Sequence, residues 1–167
     1  MKRIKKVAAA QLSPVFMDKE ATVEKACLAI AEAGESGAEL IVFPEAFISG
    51  YPDWVWVIPN SQGAVLNELY VKLVENAVSI PDESTIRLCN AARESRINVV
   101  IGLNERNTET SNASLFNSLL FIDDQGLVLG KHRKLIPTGG ERLIWAQGEG
   151  STLHAYDTSV GRVAGLI

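Results

Sequence analysis

The chain has 167 residues and a mass of 18.1 kDa, with 47% apolar residues, 22% charged residues and a mean hydropathy of +0.10. This balance is typical of globular proteins and excludes the disordered and fibrous classes. Sixteen Lys and Arg oppose twenty Asp and Glu, which gives a net charge of −4 and disfavours a nucleic-acid binder, since the only basic block is residues 2–6. We therefore expect one domain, or one part of a larger domain.

The cysteines and the N-terminal residues favour a cytoplasmic location. Cys27 and Cys89 are too few for a disulfide framework and lack the Cys-x-x-Cys spacing of a zinc site. The apolar run that follows the basic start, residues 7–10, is interrupted by Gln11 and is shorter than the apolar region of a signal peptide. Because no segment reaches membrane-spanning length, we expect a protein that does not bind a membrane.

The first elements of the sequence alternate between strand and helix patterns. A continuously apolar stretch predicts a strand over 4–12, and apolar residues at intervals of three and four predict a helix over 18–34. The apolar run 40–43, closed by Pro44, predicts a second strand parallel to the first. The carboxyl end of such a strand is the usual position of functional residues in parallel α/β sheets.

The middle of the sequence begins with a long aromatic-rich connection, residues 45–61, which we predict to form a pocket wall because connections of this length are commonly functional. Periodicity then predicts a helix over 66–77. Ser79 with Asp82, around Pro81, predicts a capping box that starts another helix, and this helix ends near Ser95.

The remaining patterns are typical of strands and predict a mixed sheet in an α/β architecture. Because the last apolar pattern reaches residue 167, we expect the sheet to continue in further sequence. The predicted segments are a strand over 99–103, a hairpin of 115–122 and 127–131 around the turn 123–126, and a final pair over 152–156 and 162–167.

Two charged residues follow predicted strands and are candidates for chemistry. Glu45 comes directly after the strand that ends at Pro44, so its carboxylate is expected at the functional edge of the sheet. Lys134 ends the basic run 131–134 and precedes a Gly-rich loop. Position alone leaves the alternatives open that Glu45 is an exposed loop acid and that the basic run protects the edge of a hairpin.

Four motifs stand in a fixed order along the chain. They are Phe43-Pro44-Glu45-Ala46-Phe47 followed by Gly50-Tyr51-Pro52, then Lys131-His132-Arg133-Lys134-Leu135 followed by Pro137-Thr138, then Glu141-Arg142, and then Trp145-Ala146-Gln147-Gly148-Glu149-Gly150. With the opening strand 7–11 and the closing strand 160–167, they resemble the nitrilase branch of the carbon-nitrogen hydrolase superfamily over essentially the whole chain. The resemblance implies an α-β-β-α sandwich, of which residues 1–167 are the N-terminal part of a single domain.

The resemblance also implies a Glu-Lys-Cys catalytic triad. Glu45 matches the family's general base, Lys134 its stabilising cation, and Glu141 a second acid that supports the lysine and positions substrate or water. The family's nucleophilic cysteine follows the strand that here ends at Ile167, so we expect it directly after that residue and expect residues 1–167 alone to be inactive. Cys27 and Cys89 occupy apolar helix positions, and we interpret both as small core residues.

Neighbouring residues are predicted to shape the pocket or to support the triad. Tyr51 matches a Gly-Tyr pair of the family and is predicted to bind substrate. Trp54 is also predicted to bind substrate, with packing of the long loop as the open alternative for Trp54 and Trp56. Asn117 is predicted to donate or accept hydrogen bonds near Glu45, and the resemblance leaves His132 a structural role.

The resemblance predicts a nitrilase, which hydrolyses an organic nitrile to a carboxylic acid and ammonia through a thioimidate and an acyl-enzyme, without a metal or an organic cofactor. The alternatives are an aliphatic amidase, a cyanide-degrading relative, or a non-catalytic truncated paralogue that acts in assembly. A doubly wound nucleotide-binding domain is disfavoured because no GxGxxG or Walker loop follows an early strand. The family further implies a homodimer that assembles into larger oligomers, spirals or filaments.

Overall fold

The computed structural model describes residues 4–109 and 111–167. Its helices are α1 (Lys19–Glu35), α2 (Trp54–Val57), α3 (Gly63–Glu75) and α4 (Glu83–Ser95), with short 3-10 turns at Asn60–Gln62, Gly139–Leu143 and Gly150–Thr152. Its strands are β1 (Val7–Ala9), β2 (Leu40–Val42), β3 (Asn98–Arg106), β4 (Leu115–Ile122), β5 (Val128–Arg133), β6 (Tyr156–Thr158) and β7 (Gly161–Val163).

The main sheet contains β1 to β5 in chain order, and β6 pairs with β7 in a separate small sheet. The strands β1, β2 and β3 are parallel, which confirms the predicted parallel pairing of the first two strands. The pairs β3–β4 and β4–β5 are antiparallel, so the predicted hairpin after β3 is present. The predicted mixed α/β architecture is therefore confirmed.

Helices α1 and α4 cover one face of the main sheet, because both helices present an apolar stripe to alternate residues of the strands. The buried residues of this layer include Ile30 and Leu88 on the helices and Val99, Ile101 and Leu120 on the strands. Alternation along β3 and β4 sends Val100, Leu119 and Phe121 to the opposite face, where Tyr156 and Val163 of the small sheet pack on them.

The segment 164–167 continues from β7 along this second face. Gly165 lies so close to the main sheet that a Cβ atom there would come within 2.6 Å of Leu119 Cδ1. Ile167 packs against the same buried cluster. The chain thus forms a helical layer, a mixed sheet and part of a second β layer.

Several predicted boundaries differ from the structure. The capping box of α4 joins Asp82 to Thr85, whereas Ser79 lies outside it and donates its backbone N–H to Asp82 Oδ2 at 3.0 Å. The final strand pair, β6 and β7, is shorter than predicted and shifted along the chain. Residues 150–152 form a 3-10 turn, and residues 164–167 pair with no strand among the described residues. The long connection also contains α2, in which Trp54 is buried and Trp56 is exposed. Within the described ranges, we find no helix with the length and apolarity needed to span a membrane.

Candidate active site

Glu45 is held at the edge of the second face by a close crossing of two backbone segments. After β2, the Phe43 N–H donates to the Val100 carbonyl at 2.8 Å, and the chain then passes directly over Gly102 of β3. A Cβ atom on Gly102 would lie 2.2 Å from the Pro44 carbonyl oxygen and 2.8 Å from Glu45 Cα. Gly102 was not among the residues predicted for the site, although an isolated glycine in an apolar strand is a signal of close backbone approach.

Replacing Gly102 by Ala is therefore expected to destabilise the protein by about 3 kcal/mol and to displace Glu45, because the new methyl group overlaps backbone rather than a flexible side chain. Thermal or urea unfolding measures this effect. Gly63→Ala is the matched control, since Gly63 has helical φ and no atom within 4 Å of its added Cβ, and it is expected to stabilise by up to about 1 kcal/mol. Equal stability of the two variants would contradict the prediction.

Lys134 lies between two carboxylates. Its backbone N–H donates to the Asn117 carbonyl at 2.8 Å, which fixes the residue next to β4. Its ammonium Nζ donates to Glu45 Oε1 at 3.1 Å and to Glu141 Oε1 at 2.8 Å, and the side chain is 12% exposed. Burial by itself lowers the pKa of Lys134, but the hydrogen bonds and charges of Glu141 and Glu45 outweigh burial and raise the pKa. The lysine is therefore an ammonium ion at neutral pH.

Glu141 is a buried acceptor on the 3-10 turn Gly139–Leu143. Its Oε1 accepts from the Tyr51 hydroxyl at 2.7 Å as well as from Lys134, and its Oε2 accepts from the Thr138 N–H at 2.7 Å and from the Thr138 hydroxyl at 3.2 Å. Burial raises the pKa of this carboxyl, but hydrogen bonds from Lys134, Thr138 and Tyr51 outweigh it and lower the pKa. Both oxygens of Glu141 are thus occupied by donors.

Glu45 differs from Glu141 because only one of its oxygens is occupied. Its Oε1 accepts from Asn117 Nδ2 at 2.6 Å and from Lys134. No hydrogen bond from residues 4–109 or 111–167 reaches Oε2, and the Glu45 side chain is 40% exposed. The predicted contact of Asn117 with this carboxylate is confirmed, and Glu45 Oε2 is available to exchange a proton.

Three of the aromatic residues in the connection 45–61 occupy different environments. Tyr51 is half-buried, and its ring packs edge-on against Trp145 at 5.3 Å. Trp54 is 7% exposed and packs into an apolar cluster with Leu73 and Ile144, so the structure does not bring it to Glu45 and Lys134. Trp56 is exposed and lies over the glycines at 139 and 140.

A cleft of about 460 Å³ opens beside Glu45 and Lys134. Its walls are apolar residues of the second face, with Val100 and Leu119 among them, and the segment 163–167. Cys27 and Cys89 do not line this cleft; they lie partly buried against the helix-side core, as predicted, and burial raises the pKa of both thiols. The site therefore joins one ammonium, two carboxylates and an apolar cavity.

The family model of the carbon-nitrogen hydrolases matches residues 6–167 of the chain. The chain belongs to the carbon-nitrogen hydrolase family. Nitrilase 2 from an unknown prokaryotic organism is 43% identical over 157 residues, which are 94% of this hydrolase chain and 49% of the relative. The nitrilase of Bacillus sp. (strain OxB-1) is 38% identical over 161 residues, which are 96% of this chain and 45% of the relative. The chain thus spans about half the length of these curated relatives.

The fold of this carbon-nitrogen hydrolase is that of solved nitrilase-superfamily structures. A variant of the amidase from Nesterenkonia sp. AN1, which shows the result of Michael addition of acrylamide at its active site cysteine, superposes with a TM-score of 0.74 at 21% identity. The match covers 98% of this chain and 57% of the amidase chain. The predicted fold class is confirmed by this likeness.

Behind the site, the chain buries a second ionic cluster that the sequence patterns did not indicate. Glu105 of β3 accepts from Arg133 Nε at 3.1 Å, from the Ser118 hydroxyl at 2.6 Å and from Lys131 Nζ at 2.5 Å. The Arg133 guanidinium also stacks on Phe116, with 4.0 Å between Cζ and the ring centroid. Because Arg133 and Lys131 alternate with His132 along β5, they point to the helix side of the sheet, whereas Lys134 points to the cleft side.

Proposed function

We propose that this carbon-nitrogen hydrolase is a nitrilase, in which residues 1–167 are the N-terminal part of a single catalytic domain. The reaction converts an organic nitrile and two water molecules into a carboxylic acid and ammonia, with no metal or organic cofactor. The observation that carries the proposal is the Lys134 ammonium, held by Glu45 and Glu141 beside an apolar cleft. The two nitrilase relatives support the choice of a nitrile as substrate.

The nucleophile in this proposal is a cysteine directly after Ile167. The segment 163–167 lines the same cleft as Glu45 and Lys134, so the next residue is expected near both charged groups. An adjacent base and an adjacent cation are what a thiol needs to react as a thiolate. The amidase of the same fold, which has an active site cysteine, supports a thiol nucleophile.

The first step forms a bond between the cysteine sulfur and the nitrile carbon. Glu45 accepts the thiol proton at Oε2, the oxygen to which no described residue donates, while negative charge develops on the nitrile nitrogen. Two of the three N–H groups of Lys134 are used by Glu45 and Glu141, so the third is available to stabilise that charge. The nitrogen then takes the proton, which completes a thioimidate.

Two hydrolytic steps follow. Glu45 deprotonates a water molecule that adds to the thioimidate carbon, the carbon-nitrogen bond breaks, and ammonia leaves with the transferred protons. A second water cleaves the resulting thioester to the carboxylic acid and restores the thiol. Glu141 is not assigned a proton-transfer role, because donors occupy both of its oxygens; it holds Lys134 in place.

We further propose that the protein is cytoplasmic and forms a homodimer that assembles into larger oligomers or spirals, as the family resemblance implies. It is expected to bind a small-molecule nitrile and water, and neither nucleic acid nor a membrane. Size-exclusion chromatography with light scattering tests the assembly, and a monomer at micromolar concentration would overturn that part of the proposal.

The decisive experiment determines the denatured intact mass of the purified protein and sequences the peptide that contains Arg162 to Ile167 and its continuation. Ammonia release is then measured with an arylacetonitrile, an aliphatic nitrile, the corresponding amides and cyanide. A cysteine directly after Ile167 and nitrile-dependent ammonia release support a nitrilase. Release from amides alone, or from cyanide alone, would replace it with an amidase or a cyanide-degrading enzyme. A different residue there, without hydrolysis, would favour the non-catalytic assembly role.

A further inference from the structure

Both oxygens that hold Lys134 also accept an uncharged donor. On Glu141 Oε1 this donor is the Tyr51 hydroxyl at 2.7 Å, and on Glu45 Oε1 it is Asn117 Nδ2 at 2.6 Å. Each carboxylate oxygen therefore divides its accepting capacity between a neutral group and the ammonium. Because each oxygen also accepts from a neutral donor, the Lys134 ammonium is held between Glu45 Oε1 and Glu141 Oε1 and does not move close to one of them alone.

The Tyr51 oxygen is rigidly placed. Its ring packs on Trp145, whose Nε1 donates to Asn104 Oδ1 at 2.8 Å. Asn104 Nδ2 in turn donates to the carbonyls of Ile48 at 3.1 Å and of Gly50, the residue before Tyr51, at 2.9 Å. One buried side chain of β3 thus fixes both the loop that bears Tyr51 and the ring against which Tyr51 packs.

Asn117 is equally fixed. It is 1% exposed on β4, and its own carbonyl holds the backbone N–H of Lys134 at 2.8 Å. Its Nδ2 must face Glu45, since the opposite amide orientation would place two acceptors against each other. The side-chain Oδ1 is then buried without a hydrogen-bond partner among the described residues, which is a cost that the contact with Glu45 must offset.

We propose that Tyr51 and Asn117 are positioning residues of Lys134, which fix the ammonium between Glu45 and Glu141 and thereby set the direction of its third N–H. This inference rests on the proposed function. It gives Tyr51 a positioning role through the hydroxyl that donates to Glu141, while substrate binding by Tyr51 stays a prediction. Burial and the Glu141 hydrogen bond also raise the pKa of Tyr51 to about 12, so the phenol stays a donor at the pH of the reaction.

Tyr51→Phe tests the inference, because it removes the hydroxyl and keeps the ring against Trp145. Without the neutral donor, Lys134 moves toward Glu141 and away from Glu45. In the full natural protein, kcat for nitrile hydrolysis is expected to fall by about 10²-fold with KM unchanged, since a displacement of about 1 Å has effects of this size. Asn117→Leu, which removes the other donor at similar volume, is expected to lower kcat in the same way.

A second readout is independent of catalysis. The Nζ nitrogen resonance of Lys134, assigned by its loss in a Lys134 variant, is expected to shift in Tyr51→Phe. Tyr70→Phe is the matched control, since it also removes a tyrosine hydroxyl that donates a 2.8 Å hydrogen bond, here to the Ala113 carbonyl, and it is expected to leave the Lys134 resonance and kcat unchanged.

The possible results of these experiments distinguish the positioning role of Tyr51 and Asn117 from the proposed nitrilase function. A raised KM with unchanged kcat in Tyr51→Phe would mean that Tyr51 contacts substrate, and an unshifted Lys134 resonance would mean that the hydroxyl does not position the ammonium; either result overturns the inference. An inactive parent protein whose Lys134 resonance nevertheless shifts in Tyr51→Phe would overturn the proposed nitrilase function and support the positioning role.

Discussion

Replacing Lys134 by Met is expected to lower kcat for nitrile hydrolysis by at least about 10³-fold, because loss of one preorganised donor to a developing anion has costs of this order. The change also leaves Glu45 and Glu141, which share this ammonium, without their common cation. Steady-state ammonia release by the full natural protein measures the effect.

Two further variants define what Lys134 supplies. Lys134→Arg keeps the positive charge but replaces a compact ammonium by a planar guanidinium, and it is expected to restore little activity because the contacts to Glu45 and Glu141 need short, divergent N–H groups. Lys72→Met removes an exposed lysine of α3 and is expected to retain full activity. Activity of Lys134→Met within tenfold of the parent would contradict the assigned role.

Two charged residues of the site, Glu45 and Lys134, could be named as candidates because each follows a predicted strand, although position alone did not assign their roles. Glu45 comes after β2 and Lys134 after β5, and strand ends on one side of a sheet lie close together. The family resemblance then supplied the roles, including that of Glu141, which stands on a 3-10 turn without any local signal of function.

The geometry of the supporting contacts was not predictable, since they join residues that are far apart in sequence, and the expectation for Asn117 gave only its place near Glu45. Tyr51 and Glu141 are separated by 90 positions and Asn117 and Glu45 by 72, and no local pattern specifies which oxygen each donor reaches. The loop aromatics illustrate the same limit. Trp54 lies in the apolar cluster that contains Leu73 of α3 and Trp145, an environment that depends on the path of the whole connection instead of its composition.

The burial of charged residues within strands was also not predicted from the sequence. A charge at every other position of β5 is the normal pattern of an exposed strand edge, and the sequence therefore favoured a solvated basic run. In the structure, Arg133 is 8% exposed and Glu105 is 2% exposed. The pairing that makes this burial possible depends on the β3–β4–β5 register, which places Ser118 opposite Arg133 and brings Glu105 within reach.

Replacing Glu105 by Gln is accordingly expected to destabilise the protein by about 3–5 kcal/mol at pH 7, because it leaves the buried Arg133 guanidinium without its counter-ion. Urea unfolding of the purified protein measures the change. Glu109→Gln is the matched control: its carboxylate lies 3.7 Å from Arg133 and 3.9 Å from Lys131, but its side chain is 66% exposed. A solvent-screened pair of this kind is expected to contribute less than about 1 kcal/mol.

The pH dependence of the Glu105 effect provides an independent check. Burial by itself raises the pKa of this carboxyl, but hydrogen bonds from Arg133, Lys131 and Ser118 outweigh burial, so the folded-state pKa lies below the ordinary value of 4.5. Below about pH 4.5 the unfolded chain therefore binds a proton that the folded chain resists, and the stabilisation by Glu105, complete above that pH, is lost as pH falls through the folded pKa. The stability difference between the parent and Glu105→Gln must narrow in acid. A difference that stays constant down to the acid transition, or that equals the difference for Glu109→Gln, would show that the buried carboxylate is not the counter-ion of Arg133.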